Sequence, residues 1–378
     1  MDVGNEELLN PLSNSRKGTR RLLSWVWLYF LHFTGLLNWA RRKITKSSGI
    51  VVLTFHRVLA DPEFTNTDSP AGMVVRRRTF EKLLAFLREN CDVLALSGES
   101  PDFKNKSSRP RIAITFDDGW KDTMAVAHPL AVKYGLPIAI FICPGLIGKP
   151  SPFWPEQVCR AWRTAAQDLA LSAKFSSACR ALLPREIPLP SDEGPSGLDR
   201  LIAALKSLTA TKRDALVRQL WALATENSAT LEVPMLEATM TWDESKAIAQ
   251  LGARIGSHTQ HHEILTRLPL DQARREIADS KLAIESQLGL ACLMFAYPNG
   301  SWSEEVRDLV LQQGYVQAFI NTPGIWKSDT DLWQIPRVNI WEGSLTNASG
   351  NFSSIVFQYT TFWRAYRADS KKRRTPDH

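Results

Sequence analysis

Two carboxylates, Asp117 and Asp118, stand side by side in the stretch IAITFDDGW (112–120), directly after an apolar run. Adjacent like charges repel, so the pair costs stability unless a cation or a shared proton relieves it. A second polar cluster, GSHTQHHE (256–263), carries His258 and His262 four residues apart. On a helical turn this spacing predicts both imidazoles on one side, a common way to hold one metal. One carboxylate with two histidines leaves coordination positions open for water, whose pKa such a site lowers to about 7 while it polarises a carbonyl. The other carboxylate then stays free as a base. The same donor set also describes a non-haem iron triad, but that chemistry gives the second aspartate no task.

Both clusters end apolar runs, and parallel α/β folds place their active sites at the C-terminal ends of strands. GIVVLTFHRV (49–58), RIAITF (111–116) and LPIAIFI (136–142) read as buried strands. ARIGSH (253–258), CLMFAYP (292–298), YVQAFI (315–320) and QIPRVNI (334–340) continue the series. TFEKLLAFLREN (79–90) reads as a helix with Thr79 as N-cap, and another helix runs through Tyr134 to stop at Gly135. Repeated strand–helix units imply a parallel sheet, open or closed into a barrel. Residues 152–238 break the rhythm, being rich in Ala, Leu, Arg and Lys without a clear strand. They are expected to form a helical insertion, a candidate lid.

The composition, 44% hydrophobic and 22% charged over 378 residues, is that of a globular chain with a full core. Its net charge of +7 belongs to the ends. Residues 1–46 hold eight Lys/Arg against three acids, and residues 364–378 hold six against two. Basic ends point to an anionic surface such as a membrane, with no nucleic acid as partner; they equally fit solubilising tails. LLSWVWLYFLHFTGLLNWA (22–40) lacks formal charge and is flanked by arginines. An interfacial helix is the preferred placement, before a single span or a helix packed on the domain. The expected organisation is a basic, Trp-rich amphipathic or membrane-associated segment at 1–46, a catalytic domain at 47–363 and a basic tail at 364–378, its last nine residues disordered. Five cysteines without CxxC spacing argue against a disulfide framework. With no cleavable signal, they favour a cytoplasmic chain or one peripheral to the inner membrane face.

TFDDGW (115–120), SHTQHH (257–262) and FAYPNG (295–300) resemble, in order, the first three motifs of the polysaccharide deacetylase family, carbohydrate esterase family 4. LTFHRV (53–58) and TWDESKAI (241–248) also resemble stretches that accompany them. The likeness runs from about residue 48 to 342, so the expected catalytic domain at 47–363 is polysaccharide-deacetylase-like. It implies a distorted (β/α) barrel and a divalent metal, usually zinc, used to remove N- or O-acetyl groups from sugars. Carried over by motif, Asp117 is the general base, and Asp118, His258 and His262 are the metal ligands. The backbone N–H of Tyr297 helps stabilise the oxyanion.

Two departures matter. The third motif lacks its usual leading arginine, and Arg337 is the candidate to brace the catalytic aspartate from a later strand; it equally fits a structural role. The C-terminal L-x-x-H is absent, since no histidine lies between His262 and His378. An amide nitrogen leaves poorly until protonated, and His56 is the candidate donor because the first and last strands of a closed barrel are neighbours. His128 and His261 are not expected to act in the site. Trp120, Trp154, Trp242, Trp302 and Trp341 are candidate sugar platforms. The leading function is deacetylation of a glycan or glycolipid precursor in cell-surface polysaccharide metabolism. A deformylase or amidase of a lipid-linked sugar, and an inactive glycan-binding member, are the alternatives.

Overall fold

The computed structural model describes residues 18–149, 153–184, 195–226 and 238–372. The chain divides into two compact units, one of residues 27–65, 72–149 and 239–378, the other of residues 1–26, 66–71 and 150–238.

The larger unit is built on parallel strands. In chain order they are β1 (Ile50–Phe55), β2 (Arg57–Leu59), β3 (Val74–Arg76), β4 (Asp92–Val93), β5 (Arg111–Phe116), β6 (Ala139–Ile142), β7 (Arg254–Ser257), β8 (Met294–Ala296), β9 (Gln317–Phe319) and β10 (Arg337–Asn339). The main sheet runs β10-β1-β5-β6-β7-β8-β9, with β4 also paired to β5. Its ends nearly meet: Phe319 bridges Ile335, and the Ile320 N–H donates to Ile335 O at 2.9 Å. The result is a nearly closed parallel barrel surrounded by helices.

Side chains along a strand alternate between faces, and here both faces are buried. Val51, Leu53, Phe55, Ile112, Ile114 and Phe116 pack in the core that contains the helix side chains Phe80, Leu83 and Ile277. Ile50, Val52, Ala113, Phe141, Met294, Ala296 and Phe319 form a second core inside the barrel. That alternation, continued past the strand ends, carries His56, Asp117 and His258 to the inner face. The run 49–58, expected as one strand, breaks at His56: β2 belongs to a separate two-stranded sheet with β3.

The region 22–40 is not one helix. Helix α1 (Gly18–Phe33) and helix α2 (Leu36–Lys46) are separated by Thr34 and Gly35, the latter left-handed at φ 76°, a conformation glycine adopts at little cost. Leu28, Leu31, Leu37, Ala40 and Ile44 are buried, so part of this region packs as core. Among the described residues no helix is long and apolar enough to cross a membrane. Helix α3 (Arg77–Asn90) starts two residues earlier than expected, so Thr79 is not its N-cap and instead donates to Glu342 at 2.8 Å. The basic end is also more ordered than expected: Arg364–Lys372 is helical, with Tyr366 edge-on to Trp39 at 4.9 Å. Residues 373–378 lie outside the described residues.

The second unit holds the insertion, which is helical as expected: Trp154–Ala165, Leu169–Arg180, Pro195–Ser207 and Ala210–Glu226. These helices share their own core of Trp162, Phe175, Leu201, Leu205, Leu216 and Leu220. Segment 66–71 joins them through Asp68, which accepts from Arg160 and Arg163, and through Ser69, which donates to Glu156 at 3.0 Å.

Candidate active site

The register of the barrel decides which polar groups meet. Phe55 pairs with Phe116, so the residues that follow them, His56 and Asp117, leave the sheet side by side. The Asp117 N–H extends that ladder to Phe55 O at 2.9 Å. The chain then turns through two consecutive left-handed residues, Asp118 (φ 75°) and Gly119 (φ 76°). A Cβ at Gly119 would stand 3.0 Å from Ile142, so both conformation and space call for glycine there.

His258 follows β7, its N–H bonded to Ile142 O at 2.8 Å. Its Nδ1 lies 2.7 Å from Ala296 O, which assigns the proton to Nδ1 and leaves Nε2 as a ligand atom. The expected helical turn between the histidines is absent. Thr259 (φ 65°) and His262 (φ 61°) are left-handed, and this loop folds the two rings edge to face with centroids 4.9 Å apart. The spacing of four therefore works by a different local geometry.

Asp118, His258 and His262 each offer one ligand atom within 4.8 Å of the others. Asp118 Oδ1 is 3.4 Å from His262 Nε2 and 3.7 Å from His258 Nε2. That oxygen is buried without a hydrogen-bond partner, a costly state for a carboxylate that a cation would relieve. Two imidazole nitrogens and a carboxylate oxygen are a zinc-type donor set. The residues present thus fit a divalent metal. His262, whose side chain is 20% exposed, gives the cluster its access to solvent.

Arg337, expected as a brace or as a structural arginine, makes a bidentate pair with Asp117: Nη1 to Oδ1 and Nη2 to Oδ2, both 2.7 Å. Nη1 also lies 3.4 Å from Thr115 Oγ1, and Nε donates to Ile320 O at 3.3 Å. Arginine suits this place because its planar fork matches both carboxylate oxygens. Burial alone would raise the Asp117 pKa. The Arg337 charge, aided by His258 and His56, outweighs burial and holds the carboxyl well below the usual carboxylate range. Asp117 is therefore ionised at any working pH.

His56 lies near enough to Asp118, Asp117, His258 and Arg337 to feel their charges. Burial pulls its pKa below the ordinary 6.5, and the two carboxylates oppose that pull. Its Nδ1 is buried and has no hydrogen-bond partner. His261 stays apart, with its Nδ1 and N–H each 2.8 Å from a Glu276 oxygen. His128 is buried elsewhere.

Two expectations are corrected. The Tyr297 N–H, expected to face an oxyanion, donates to Phe319 O at 3.0 Å as a continuation of the β8–β9 ladder. A donor committed to the sheet is not available to substrate. The Tyr297 hydroxyl is also engaged, donating to Trp333 O at 3.1 Å. Trp120, expected as a candidate sugar platform, is fully buried, and its Nε1–H donates to Asp118 Oδ2 at 3.0 Å.

The residues that hold that tryptophan are not among those expected from the sequence. The Arg57 guanidinium sits 4.3 Å over the Trp120 ring, and its Nε pairs with Asp122 at 2.9 Å, both side chains at 0% exposure. Asp122 also accepts from the Val58 N–H at 2.8 Å. A fixed chain from Asp122 through Arg57 and Trp120 thus sets the orientation of Asp118, leaving Oδ1 to face the histidines. The available signal was the polar HR of LTFHRV inside an otherwise apolar run.

The class defined so far is a parallel α/β barrel with an Asp-Asp and His-His cluster at the C-terminal ends of its strands. The Polysaccharide deacetylase family model matches residues 192–318, a span holding His258, His262 and Tyr297. The Bacillus subtilis "Putative polysaccharide deacetylase YxkH" is 29% identical over 113 residues, 30% of this chain and 40% of that protein. YlxY of the same organism, described as uncharacterized, is 26% identical over 118 residues, 31% of this chain and 34% of that protein. The match thus spans less than half the length of either curated relative. The crystal structure of the "putative polysaccharide deacetylase BA0330" from Bacillus anthracis superposes with a TM-score of 0.50 at 15% identity, covering 83% of this chain and 69% of that one, a likeness of fold. Over these stretches the chain is similar to the polysaccharide deacetylases.

Proposed function

We propose that this protein is a metal-dependent hydrolase that removes N-acetyl groups from a glycan or glycolipid precursor. The observation that carries the reading is the placement of Asp117, ionised by Arg337, beside Asp118, His258 and His262, with His258 Nε2 3.8 Å from Asp117 Oδ2.

A divalent cation, zinc by its donor set, would be held by Asp118, His258 and His262 and would supply Lewis-acid polarisation of the acyl carbonyl and acidification of water. Asp117 takes a proton from the water whose oxygen attacks the carbonyl carbon. Arg337 keeps Asp117 charged until that moment and fixes both carboxylate oxygens. When the C–N bond breaks, the nitrogen keeps the bonding pair and takes a proton from His56. Burial keeps the His56 pKa below its ordinary value, and the two nearby carboxylates oppose that pull, toward the protonated form that this step needs. Trp120 and Arg57 position Asp118 without touching substrate.

Exposed Trp27, Tyr29, Phe30 and Phe33 on α1, close in sequence to Arg41, Arg42 and Lys43, support placing the chain peripherally on an anionic membrane surface. The direct test of the catalytic reading is acetate release from N-acetylglucosamine oligomers by metal-loaded protein. Asp117→Asn should bind the metal and release nothing. Turnover in that variant would remove Asp117 from the base role.

A further inference from the structure

At the other end of the barrel, where β1, β4 and β5 begin, a cleft of about 770 Å³ opens beneath the C-terminal half of α2. Five cations line it, Arg41, Arg42 and Lys46 from α2 and Lys106 and Arg109 from the loop before β5, against one acid, Glu89. Basic residues near a helix C-terminus complement its dipole, which accounts for the α2 members alone. Lys106 and Arg109 arrive from some 60 residues further along the chain, and the dipole gives no reason for them to converge there.

Among the described residues, Arg41, Arg42, Lys46 and Lys106 have no carboxylate within ion-pair distance, although Asp and Glu pair with many other cations of this protein. Arg109 is held in place through Nη1, which donates to Arg88 O and Glu89 O in the last turn of α3. Its other guanidinium N–H groups stay available. Like charges gathered in one concave space repel one another, and an anion of two or more charges removes that repulsion. The volume is that of a small-molecule site, and three guanidinium groups match phosphate oxygens in bidentate geometry.

We infer that this cleft binds a phosphate-bearing anion, a second site distinct from the Asp117 end of the barrel. The phosphate can come from a soluble phosphate compound or from a phospholipid headgroup. Trp39, 42% exposed on the same helix, gives the lipid source an apolar contact beside the charges.

The test is binding, independent of catalysis. Full-length protein is titrated calorimetrically with inorganic pyrophosphate, and separately sedimented with phosphatidylcholine vesicles with and without phosphatidylglycerol. Each is repeated with the Arg41→Glu/Lys46→Glu pair, with Lys106→Glu alone on its exposed loop, and with Lys82→Glu, the same charge change as Lys106→Glu but on exposed α3 surface outside the cleft. Far-UV circular dichroism checks that each variant is folded. Affinity should fall about tenfold or more per reversed cleft charge and be nearly unchanged in Lys82→Glu. Pyrophosphate binding with that pattern supports the site with a soluble source; phosphatidylglycerol-dependent sedimentation with that pattern supports it with a lipid source. Equal loss in Lys82→Glu, or no binding of either probe by the unmodified protein, overturns the inference.

Discussion

In Arg337→Met the guanidinium that grips both Asp117 oxygens at 2.7 Å is replaced by an apolar chain of similar length. Asp117 then remains 3% exposed, with its strongest counter-charge gone. Removing one partner of a buried ion pair costs about 3–5 kcal/mol. Taken as lost preference for the ionised form, the lower value lifts the carboxyl's titration by about two pH units. The sign of the stability effect follows. A carboxyl depressed in the folded state stabilises the fold above its unfolded value of 3.8 and loses that contribution as pH falls through the folded value. The variant should therefore unfold at lower urea than wild type near neutral pH, and the gap should narrow in acid. A lift of about two pH units from so low a start leaves Asp117 ionised at pH 7. Acetate release there should therefore drop only through the lost positioning of the carboxylate, while the acid limb of the variant should begin at a higher pH than that of wild type. Arg337→Lys, one charge without the fork, should fall between. A Met variant with the wild-type pH profile and urea midpoint would refute the reasoning that Arg337 sets the state of Asp117.

Further outcomes are expected. His56→Ala should lower acetate release by about 10²–10⁴-fold with bound metal unchanged by elemental analysis; an unaffected rate would remove His56 as donor. Trp120→Phe keeps the buried ring but deletes the N–H that fixes Asp118 Oδ2. Metal affinity by competitive titration should weaken about 10–100-fold, and unchanged affinity would show that the bond does not position the ligand. Burial lowers the pKa of His128 from 6.5, opposed by a hydrogen bond with the Leu251 backbone. The unfolded chain thus takes up the proton first, and this residue's share of stability is lost as pH falls below about 6.5. In His128→Gln the urea midpoint should depend less on pH between about 7.5 and 5.5 than in wild type; equal slopes would exclude His128 as the cause.

The barrel was legible because its strands are buried on both faces and so appear as unbroken apolar runs; RIAITF coincides with β5 from end to end. Asp117, Asp118 and His258 were legible because the sequence places them directly after such runs, and His262 because it lies four residues past His258. What failed were readings that depended on one local conformation. Gly35 divides an apolar stretch that looks continuous, and left-handed Thr259 and His262 replace the expected helical turn. Readings that depended on pairing across the chain also failed. The Tyr297 N–H is claimed by Phe319 through the β8–β9 register, which no local pattern reports. The Arg57–Asp122 pair spans 65 residues, and the basic cleft joins α2 to a loop 60 residues later. Arg337 lay between these cases: its strand was visible, and its reach to Asp117 depended on the β1–β10 register that only the fold supplies.

The most direct measurement is acetate release from N-acetylglucosamine oligomers at a series of added zinc concentrations, with bound zinc counted in the same samples for wild type, Asp117→Asn and Asp118→Asn. The expected result is turnover that rises with the first equivalent bound to wild type, full binding without turnover in Asp117→Asn, and loss of both in Asp118→Asn. Zinc binding that survives Asp118→Asn, or turnover that survives Asp117→Asn, would contradict the assignment of these residues to one hydrolytic centre.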